Sequence, residues 1–316
     1  MPMTNTALVG DIGGTNSRFG LIELGSMDVR DVEVLKNDNF QGLEAALRHY
    51  VEKRGLTELA AAAVDVAAPV DREYIRLTNR DWTFSAESLR EAAHARRFRL
   101  LNDFEALAWS LPHLAAGDLV QIGGIASSRP QVKVVLGPGT GLGMATLAPL
   151  PDGEWMPIPG ELGHVTLPVV TAEELALKDK IMGKDKFSEV EDVLTGPGLF
   201  ALYKAVAASP LQTSPEQVMK AGLAGTDAAA VKTLDHFMTF LARLAGDAAM
   251  ALQARGGVYL AGGIAPALAE KMKAPKYRAV FEEKGRLSEV MKHIPLYIIT
   301  NPFPAFKGCA AALNAK

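Results

Sequence analysis

The sequence predicts an α/β fold with two similar halves, and three observations support this prediction. Strand-like apolar runs and helix-like amphipathic stretches alternate along the whole chain, which is typical of α/β proteins. An apolar run leads into a turn rich in glycine and threonine at residues 10–15, and a similar turn follows an apolar run at residues 137–141. Another apolar run follows each turn. The repetition predicts duplicated lobes that face a shared cleft, and without a fixed period of about 20–50 residues a solenoid is not expected.

Length and composition narrow the class of protein. The chain has 316 residues, 48% hydrophobic and 22% charged, which suits about two domains. A net charge of 33 − 36 = −3 offers no basic excess for a nucleic acid or a membrane surface, so neither partner is expected. The lone Cys309 permits no internal disulfide and no thiolate zinc site, and no two histidines have metal-pair spacing. The first six residues lack a secretory signal, so we expect a cytoplasmic protein.

Six elements are predicted in the first part of the chain. One of them is a helix over residues 43–52, whose apolar residues fall on one face at spacings of three and four. In order, the elements are strands over residues 7–12, 18–24 and 29–35, a helix over residues 43–52, and strands over residues 59–67 and 97–101.

The second part continues the alternation. The predicted N-cap of its long helix is Thr226, and Gly256 and Gly257 are its predicted stop. Residues 189–195 are too acidic for a buried strand, so the glycines at 196–198 predict a helix start rather than a dinucleotide-binding fingerprint. The further elements are strands over residues 132–136 and 144–147, a helix over residues 227–254, strands over residues 258–261 and 294–300, and a helix over residues 305–315.

The first glycine turn reads Gly10-Asp11-Ile12-Gly13-Gly14-Thr15-Asn16. Glycines after a strand allow the backbone to approach a ligand and direct N–H groups at a phosphate. Asp11 could hold a magnesium ion directly or through water, since magnesium prefers hard oxygen ligands. A plain hairpin with an aspartate in its turn explains the motif about equally well.

The second glycine turn, Gly137-Pro138-Gly139-Thr140-Gly141-Leu142-Gly143, is denser. Four glycines make a hairpin entropically costly, which a closely approaching ligand would explain. Neither turn continues into Gly-Lys-Ser/Thr, so a P-loop kinase is excluded. Gly262 and Gly263 lie between a predicted strand and a helix, where they would face a nucleotide or allow tight packing.

Asn102 and Asp103 lie where an apolar strand meets a helix. Asp103 is therefore either a helix cap or a general base, with Asn102 binding a hydroxyl beside it, and the local sequence favours the cap. Glu161 and His164 flank a glycine in a loop, where they suit the hydroxyls of a polyol, although a solvated loop has the same pattern. Glu191, ahead of the glycines at 196–198, carries no signal by itself.

Taken in order, these segments resemble the bacterial glucokinase family, of the type that lacks zinc-binding cysteines, within the actin-like and hexokinase-like ATPases. The resemblance covers nearly the whole chain and is specific as a set, whereas no single motif is. The motifs that carry it are residues 11–16, 101–104, 136–143, 159–164, 194–199 and 261–264, with further similarity at residues 281–286 and 294–295.

The resemblance implies two actin-like, ribonuclease-H-like lobes, formed by residues 1–111 with 303–316 and by residues 112–302. It implies phosphorylation of glucose at its 6-hydroxyl by ATP with Mg²⁺, in a cleft between the lobes of a homodimeric enzyme. Asp103 would be the catalytic base. The sugar would be bound by Asn102, Asp103, Glu161, His164 and Glu191. ATP would be bound by Gly10, Asp11, Gly13, Gly14, Thr15, Asn16, Gly139, Thr140, Gly141, Gly262 and Gly263, with Asp11 organising Mg²⁺ through water.

Three segments depart from the family pattern or have no assigned role. Leu162 stands where close relatives often have glycine, which bears on glucose against another hexose. Residues 303–307 differ from the usual turn, which bears on the local loop and on dimer contacts. Residues 182–186 are rich in lysine and predict a solvated loop.

Other functions are compatible with the same scaffold. A kinase for mannose or an N-acetyl hexosamine is one alternative. A sugar-responsive regulator would need DNA-binding helices, for which the residues before the first predicted strand leave no room. A chaperone or filament protein would need a peptide-binding domain or a polymer interface, and the two lobes use the whole chain.

Overall fold

In the computed structural model, which describes residues 5–77 and 80–315, strands and helices alternate as predicted. The first four residues, on which the expectation of no secretory signal partly rests, lie outside the described residues. The strands are β1 (Thr6–Ile12), β2 (Asn16–Glu23), β3 (Arg30–Lys36), β4 (Ala61–Val66), β5 (Tyr74–Arg76), β6 (Thr83–Ser85), β7 (Phe98–Asn102), β8 (Leu119–Gly123), β9 (Lys133–Pro138), β10 (Leu142–Pro149), β11 (Trp155–Gly160), β12 (Val258–Leu260) and β13 (Leu296–Ile299). The helices are α1 (Leu43–Lys53), α2 (Ala86–Ala92), α3 (Asp103–Ser110), α4 (Ala172–Met182), α5 (Gly196–Val206), α6 (Pro215–Ala224), α7 (Ala228–Ala251), α8 (Ala265–Met272), α9 (Pro275–Glu282), α10 (Ser288–Met291) and α11 (Pro304–Asn314).

Two compact units make up the chain. The first unit comprises Met1–Ala115, Leu150–Pro157 and Asn301–Lys316, and the second comprises Ala116–Pro149 and Ile158–Thr300. The lobe boundaries expected from the sequence, after residue 111 and before residue 303, stay a prediction. Among the described residues, none of the helices combines the length and the apolar character needed to cross a membrane.

The first unit contains a five-stranded sheet in the order β3-β2-β1-β4-β7. Strands β1, β2 and β3 form an antiparallel meander, whereas β4 and β7 run parallel to β1. Parallel strands bring their carboxyl ends to one edge of a sheet. Asp11 therefore pairs in register with Asp65, and Val66 pairs with Asn102, immediately before Asp103. The topology gathers three aspartates at one edge.

Each face of this sheet has its own apolar core. Successive side chains of β1 point to opposite faces, as strand geometry requires. Leu8 packs with the helices α1 and α2 on one face. Val9 packs on the other face with α3 and with α11, to which Cys309 belongs. Residues 304–307 form the first turn of α11, and its N-cap Phe303 stacks on Phe306 with ring centroids 5.8 Å apart.

The second unit contains a sheet in the order β11-β10-β9-β12-β13-β8, of which β11 belongs to this unit over residues 158–160. The long helix α7 supplies the centre of its core, together with α5, α6, α8 and α9. Of residues 182–186, predicted to form a solvated loop, Met182 is the last residue of α4 and Gly183 its C-cap, whereas residues 184–186 are exposed and follow the helix. Helix α5 begins at Gly196, which confirms the predicted helix start.

The predicted ends of α7 are wrong at both termini. Asp227, and not Thr226, is the N-cap, because its Oδ1 accepts hydrogen bonds from the N–H groups of Ala229 and Ala230. The helix ends at Ala251, before the predicted glycine stop. Gly256 instead donates its N–H to the carbonyl of Val132, so the glycines serve the turn into β12.

Candidate active site

Asp11 and Asp65 are adjacent in register at the carboxyl edge of the first unit's sheet. Asp11 is half-buried, and its Oδ2 accepts a hydrogen bond of 2.8 Å from Arg18. Burial raises the pKa of Asp11, and the Arg18 guanidinium opposes that shift. Asp65 is fully buried, and its Oδ1 has no hydrogen-bond partner among the described residues. Burial, reinforced by the charges of Asp11 and Asp103, raises the pKa of Asp65 well above its usual range.

The prediction from local sequence that Asp103 caps the following helix is wrong, because Asn102 is the cap. Its Oδ1 accepts hydrogen bonds from the N–H groups of Phe104 at 2.9 Å and Glu105 at 3.4 Å. Asp103 is the first helical residue, and its Oδ1 accepts a hydrogen bond of 3.0 Å from the N–H of Phe104. Burial, with a contribution from the Asp11 charge, raises the pKa of Asp103 to about 6.

Asn37 holds the first glycine turn from inside. This fully buried side chain donates from Nδ2 to the carbonyls of Gly13 at 2.8 Å and Gly14 at 3.2 Å. Its Oδ1 accepts a hydrogen bond of 2.7 Å from the Ser17 hydroxyl. Sequence reasoning missed Asn37, and the available signal was an asparagine directly after the third strand. Because the carbonyls face Asn37, the exposed residues Gly14 and Thr15 form the outer side of the turn.

Arg80 approaches the same turn. Its Nε donates to the carbonyl of Gly14 at 3.2 Å, and its guanidinium pairs with Asp38 and lies over the ring of Trp82. Asn16, the last residue of the motif, begins β2 and accepts a hydrogen bond from the N–H of Gly13. No sequence pattern singles out Arg80, which lies far from the turn in the chain.

The glycines predicted to bind the nucleotide fall into two groups, according to whether an added Cβ would have room. A Cβ at Gly10 would lie 3.0 Å from the ring of Phe19, so packing inside the sheet explains that glycine. A Cβ at Gly13 or Gly139 would meet its nearest neighbour only at 3.6 or 3.7 Å, and one at Gly263 would meet nothing within 4 Å. Packing against the described residues therefore does not require glycine at these three positions.

In the second unit, the second glycine turn closes on itself. The N–H of Gly139 donates to the carbonyl of Gly141 at 2.7 Å, and the exposed Thr140 lies at the tip. Gly262 and Gly263 form an exposed turn before α8, next to the end of β9. The sequence-predicted nucleotide residues of this unit therefore lie at the ends of the neighbouring strands β9 and β12.

The predicted sugar loop is Glu161 with the 3-10 turn Leu162–His164. Glu161 and His164 are exposed, whereas Glu191 is half-buried. His164 Nδ1 lies 3.2 Å from Glu189 Oε2, and this contact raises the pKa of His164 above its usual value. His164, Glu189 and Glu191 each offer a ligand atom within 4.8 Å of the others. The structure thus brings together two predicted sugar residues and adds Glu189, which sequence reasoning missed.

Comparison with known proteins identifies the family. The chain matches the family model described as Glucokinase over residues 8–316. The chain belongs to the glucokinase family. The resemblance inferred from the ordered motifs is therefore confirmed, and so is the two-lobed α/β fold class of sugar kinases.

Relatives of the glucokinase family align over nearly their full length. The glucokinase of Marinobacter nauticus is 36% identical over 319 residues, which cover 99% of each chain. The crystal structure of a glucokinase from an Antarctic psychrotroph superposes with a TM-score of 0.88 at 29% identity, covering 98% of this chain and 99% of the other. The glucokinase of Balamuthia mandrillaris, solved in complex with glucose, has a TM-score of 0.80 at 26% identity, covering 98% and 93%.

Proposed function

We propose that the chain transfers the γ-phosphoryl group of Mg-ATP to the 6-hydroxyl of D-glucose. Glucose phosphorylation follows from membership of the glucokinase family. The phosphoryl donor, the metal ion and the residue roles are what the proposal adds. One observation carries these roles: Asn102 caps α3, and the half-buried Asp103 carboxylate lies at the helix N-terminus with its pKa raised to about 6.

Asp103 is the proposed general base. A carboxylate with a pKa of about 6 is mostly ionised at neutral pH and can accept the hydroxyl proton as the new O–P bond forms. Phosphoryl transfer has a loose transition state, so the protein contributes mainly alignment and charge stabilisation. Asn102 Nδ2 donates one hydrogen to the carbonyl of Ala68, and its second hydrogen would bind a neighbouring sugar hydroxyl.

The remaining sugar hydroxyls are assigned to Glu161, His164 and Glu191. Carboxylates accept hydrogen bonds from hydroxyl groups, and a histidine can donate or accept according to its protonation state. Leu162 packs on the core of the second unit, so it leaves these polar contacts to its neighbours. Exclusion of water would then prevent hydrolysis of the donor, as in other kinases.

The two glycine turns are assigned to the phosphates of ATP, and Gly262 with Gly263 to its adenosine. Gly13, Gly139 and Gly263 have room for a ligand that internal packing does not explain. Asp11 fits magnesium, because it is a hard oxygen donor at a strand end with one oxygen engaged by Arg18. When bound, the ion would neutralise charge on the transferring phosphate.

Sugar-dependent ADP release tests the proposal. Purified protein with Mg-ATP is assayed against glucose, fructose, mannose, galactose and N-acetylglucosamine, with Asp103→Asn as the control for contaminating kinases. We expect turnover confined largely to glucose and abolished in the variant. Turnover on another hexose would retain the mechanism and replace the substrate. No turnover by folded protein would contradict the proposed catalysis and favour a sugar-responsive regulator. The homodimer and the cytoplasmic location stay predictions.

A further inference from the structure

Glu191 lies at the junction of two loops that the proposed function assigns to different substrates. Its Oε1 accepts a hydrogen bond of 2.6 Å from the backbone N–H of Leu142, at the end of the turn assigned to phosphate. A carboxylate oxygen of Glu191 also lies within 4.8 Å of ligand atoms of His164 and Glu189, on the side assigned to sugar. The Glu191 side chain therefore lies against both loops.

Two glycines from these loops make room for the Glu191 side chain. A Cβ at Gly141, in the phosphate turn, would lie 2.8 Å from Glu191 Oε1. A Cβ at Gly163, in the sugar loop, would lie 2.7 Å from both Oε1 and Cγ of Glu191. Such contacts are too short for any side chain, so a residue larger than glycine in either loop would displace the carboxylate. The two loops are built around it.

The backbone beside Glu191 is attached to the same two loops. The N–H of Val190 donates to the carbonyl of Val165, just after the sugar loop, at 3.0 Å. The N–H of Gly196 donates to the carbonyl of Gly139, in the phosphate turn, at 2.9 Å. The segment that carries Glu191 is thus held on both sides, and a change in either loop acts on it directly.

We propose that Glu191 couples the two substrates, so that glucose bound to its carboxylate fixes the phosphate turn through Leu142 and increases the affinity for ATP. The inference rests on the proposed function, because it needs sugar at one loop and phosphate at the other. Ordering by the first ligand lowers the entropic cost of binding the second, which is positive coupling between sites. By linkage, ATP increases the affinity for glucose by the same factor.

Calorimetric titration of a non-hydrolysable Mg-ATP analogue, with and without saturating glucose, measures this coupling as a ratio of two Kd values. For the wild-type protein we expect a ratio of about 5 or more. In Glu191→Gln the ratio should fall to near 1. The glutamine amide has one acceptor oxygen, so it can accept from Leu142 or from a sugar hydroxyl, but it lacks a second acceptor.

Glu161→Gln is the matched control. It removes a carboxylate from the sugar loop without touching Leu142, so it should weaken glucose binding and retain the ratio. An unchanged ratio in Glu191→Gln, an equal loss in Glu161→Gln, or a wild-type ratio near 1 would overturn the inference. Absence of glucose binding to the wild-type protein would overturn the proposed function as well, and a direct glucose titration detects it separately.

A second pair of variants decides the matter if Glu191→Gln cannot be saturated with glucose or does not fold. The Thr195 hydroxyl donates to the carbonyl of Glu191 at 2.9 Å and accepts from the N–H of Gly198, and it has no proposed substrate contact. Thr195→Val loosens Glu191 and should lower the ratio, whereas Thr195→Ser keeps the hydroxyl and should restore it. Equal ratios in the two variants would contradict the coupling.

Discussion

Asp65 in the first unit and Asp227 in the second are both buried, with 0% and 7% of their surfaces exposed, yet their surroundings act in opposite directions. Burial raises the pKa of Asp65, whose Oδ2 accepts a hydrogen bond from the weak thiol donor of Cys309 at 3.5 Å. The Tyr203 hydroxyl, at 2.7 Å, lowers the pKa of Asp227, and backbone N–H groups lower it further.

The difference separates an acid that stabilises a helix from a cluster of three acids at one sheet edge. Asp227 caps a long helix and stabilises the fold in its charged form. Among the described residues, Asp65 has no comparable donors. It lies beside Asp11 and near Asp103, whose pKa values are also raised. Acidic groups with raised pKa values cluster more often at functional sites than elsewhere, which agrees with the role proposed for Asp103. The exposed acids of the second unit, such as Glu161, suit binding instead.

The largest effect expected from this contrast is on turnover. Asp103→Asn should lower kcat about 1,000-fold, because a general base contributes in this range, and leave the KM for glucose nearly unchanged. Glu161→Gln should mainly raise that KM, since it removes a hydroxyl contact. Steady-state kinetics at saturating ATP measures both. A change in KM alone in Asp103→Asn would contradict the assignment of catalysis to Asp103 and of sugar binding to Glu161.

The next effect concerns stability. A Cβ at Gly308 in α11 would lie 1.7 Å from the carbonyl oxygen of Ala106 in α3, so Gly308→Ala must separate two packed helices. We expect a loss of about 3 kcal/mol in the free energy of unfolding. Gly263→Ala is the control from the second unit, where the added methyl meets nothing, and it should change stability by about 0.5 kcal/mol at most. Urea unfolding tests both, and equal midpoints would refute the close packing.

Asp65 and Asp227 can be compared directly by pH-dependent unfolding. Because the folded pKa of Asp65 is raised, the wild-type side chain costs stability once the pH exceeds about 4, where the unfolded carboxyl ionises. Asp65→Asn should therefore stabilise the protein at pH 7 and have less effect as the pH falls below about 4. Asp227→Ala should instead destabilise it by about 1 kcal/mol at pH 7 through loss of the cap. A destabilised Asp65→Asn at neutral pH would contradict the first expectation.

The smallest expected effect is on the acidic limb of the pH–rate profile. Since the base must be ionised, kcat/KM for glucose should fall below about pH 6, the pKa of Asp103. Glu189→Gln should lower the pKa of His164 towards its ordinary value and leave this limb in place. A pH–rate profile of the two proteins measures the limb. If the acidic limb moved in the Glu189→Gln variant, the ionising group responsible would belong to the second unit and not be Asp103.

Much of the fold could be predicted because its periodic patterns are long. The opening meander and the long helix α7 were visible as apolar runs and repeats. The hairpin of β5 and β6 was missed, since strands of three residues are too short to show alternation. The N-cap of α7 was misplaced by one residue, because Thr226 and Asp227 are both good caps and the contact with Tyr203 decides between them.

The candidate site was less predictable, because its supporting contacts are long-range. Adjacent polar residues such as Asn102 and Asp103 compete for the cap, and local preference does not distinguish them. Asn37 belongs to no motif and becomes informative only when the chain returns it to the glycine turn. Asp65 was visible as a charged residue within an aliphatic run. Its significance depends on β1, the neighbouring strand, which places Asp11 beside it.

Helix α11 has a consequence for the order in which the protein forms. Cys309 reaches the carbonyl of Gly10, a partner 299 residues earlier in the chain. At a synthesis rate of about 5–20 residues per second, roughly 15–60 s separate the two on the ribosome. The second unit, by contrast, is nearly continuous in sequence and can fold while translation proceeds. The nascent chain thus completes the unit that carries Asp103 last. Slow or interrupted synthesis of α11 would leave one face of its sheet without the longer of the two helices that pack there.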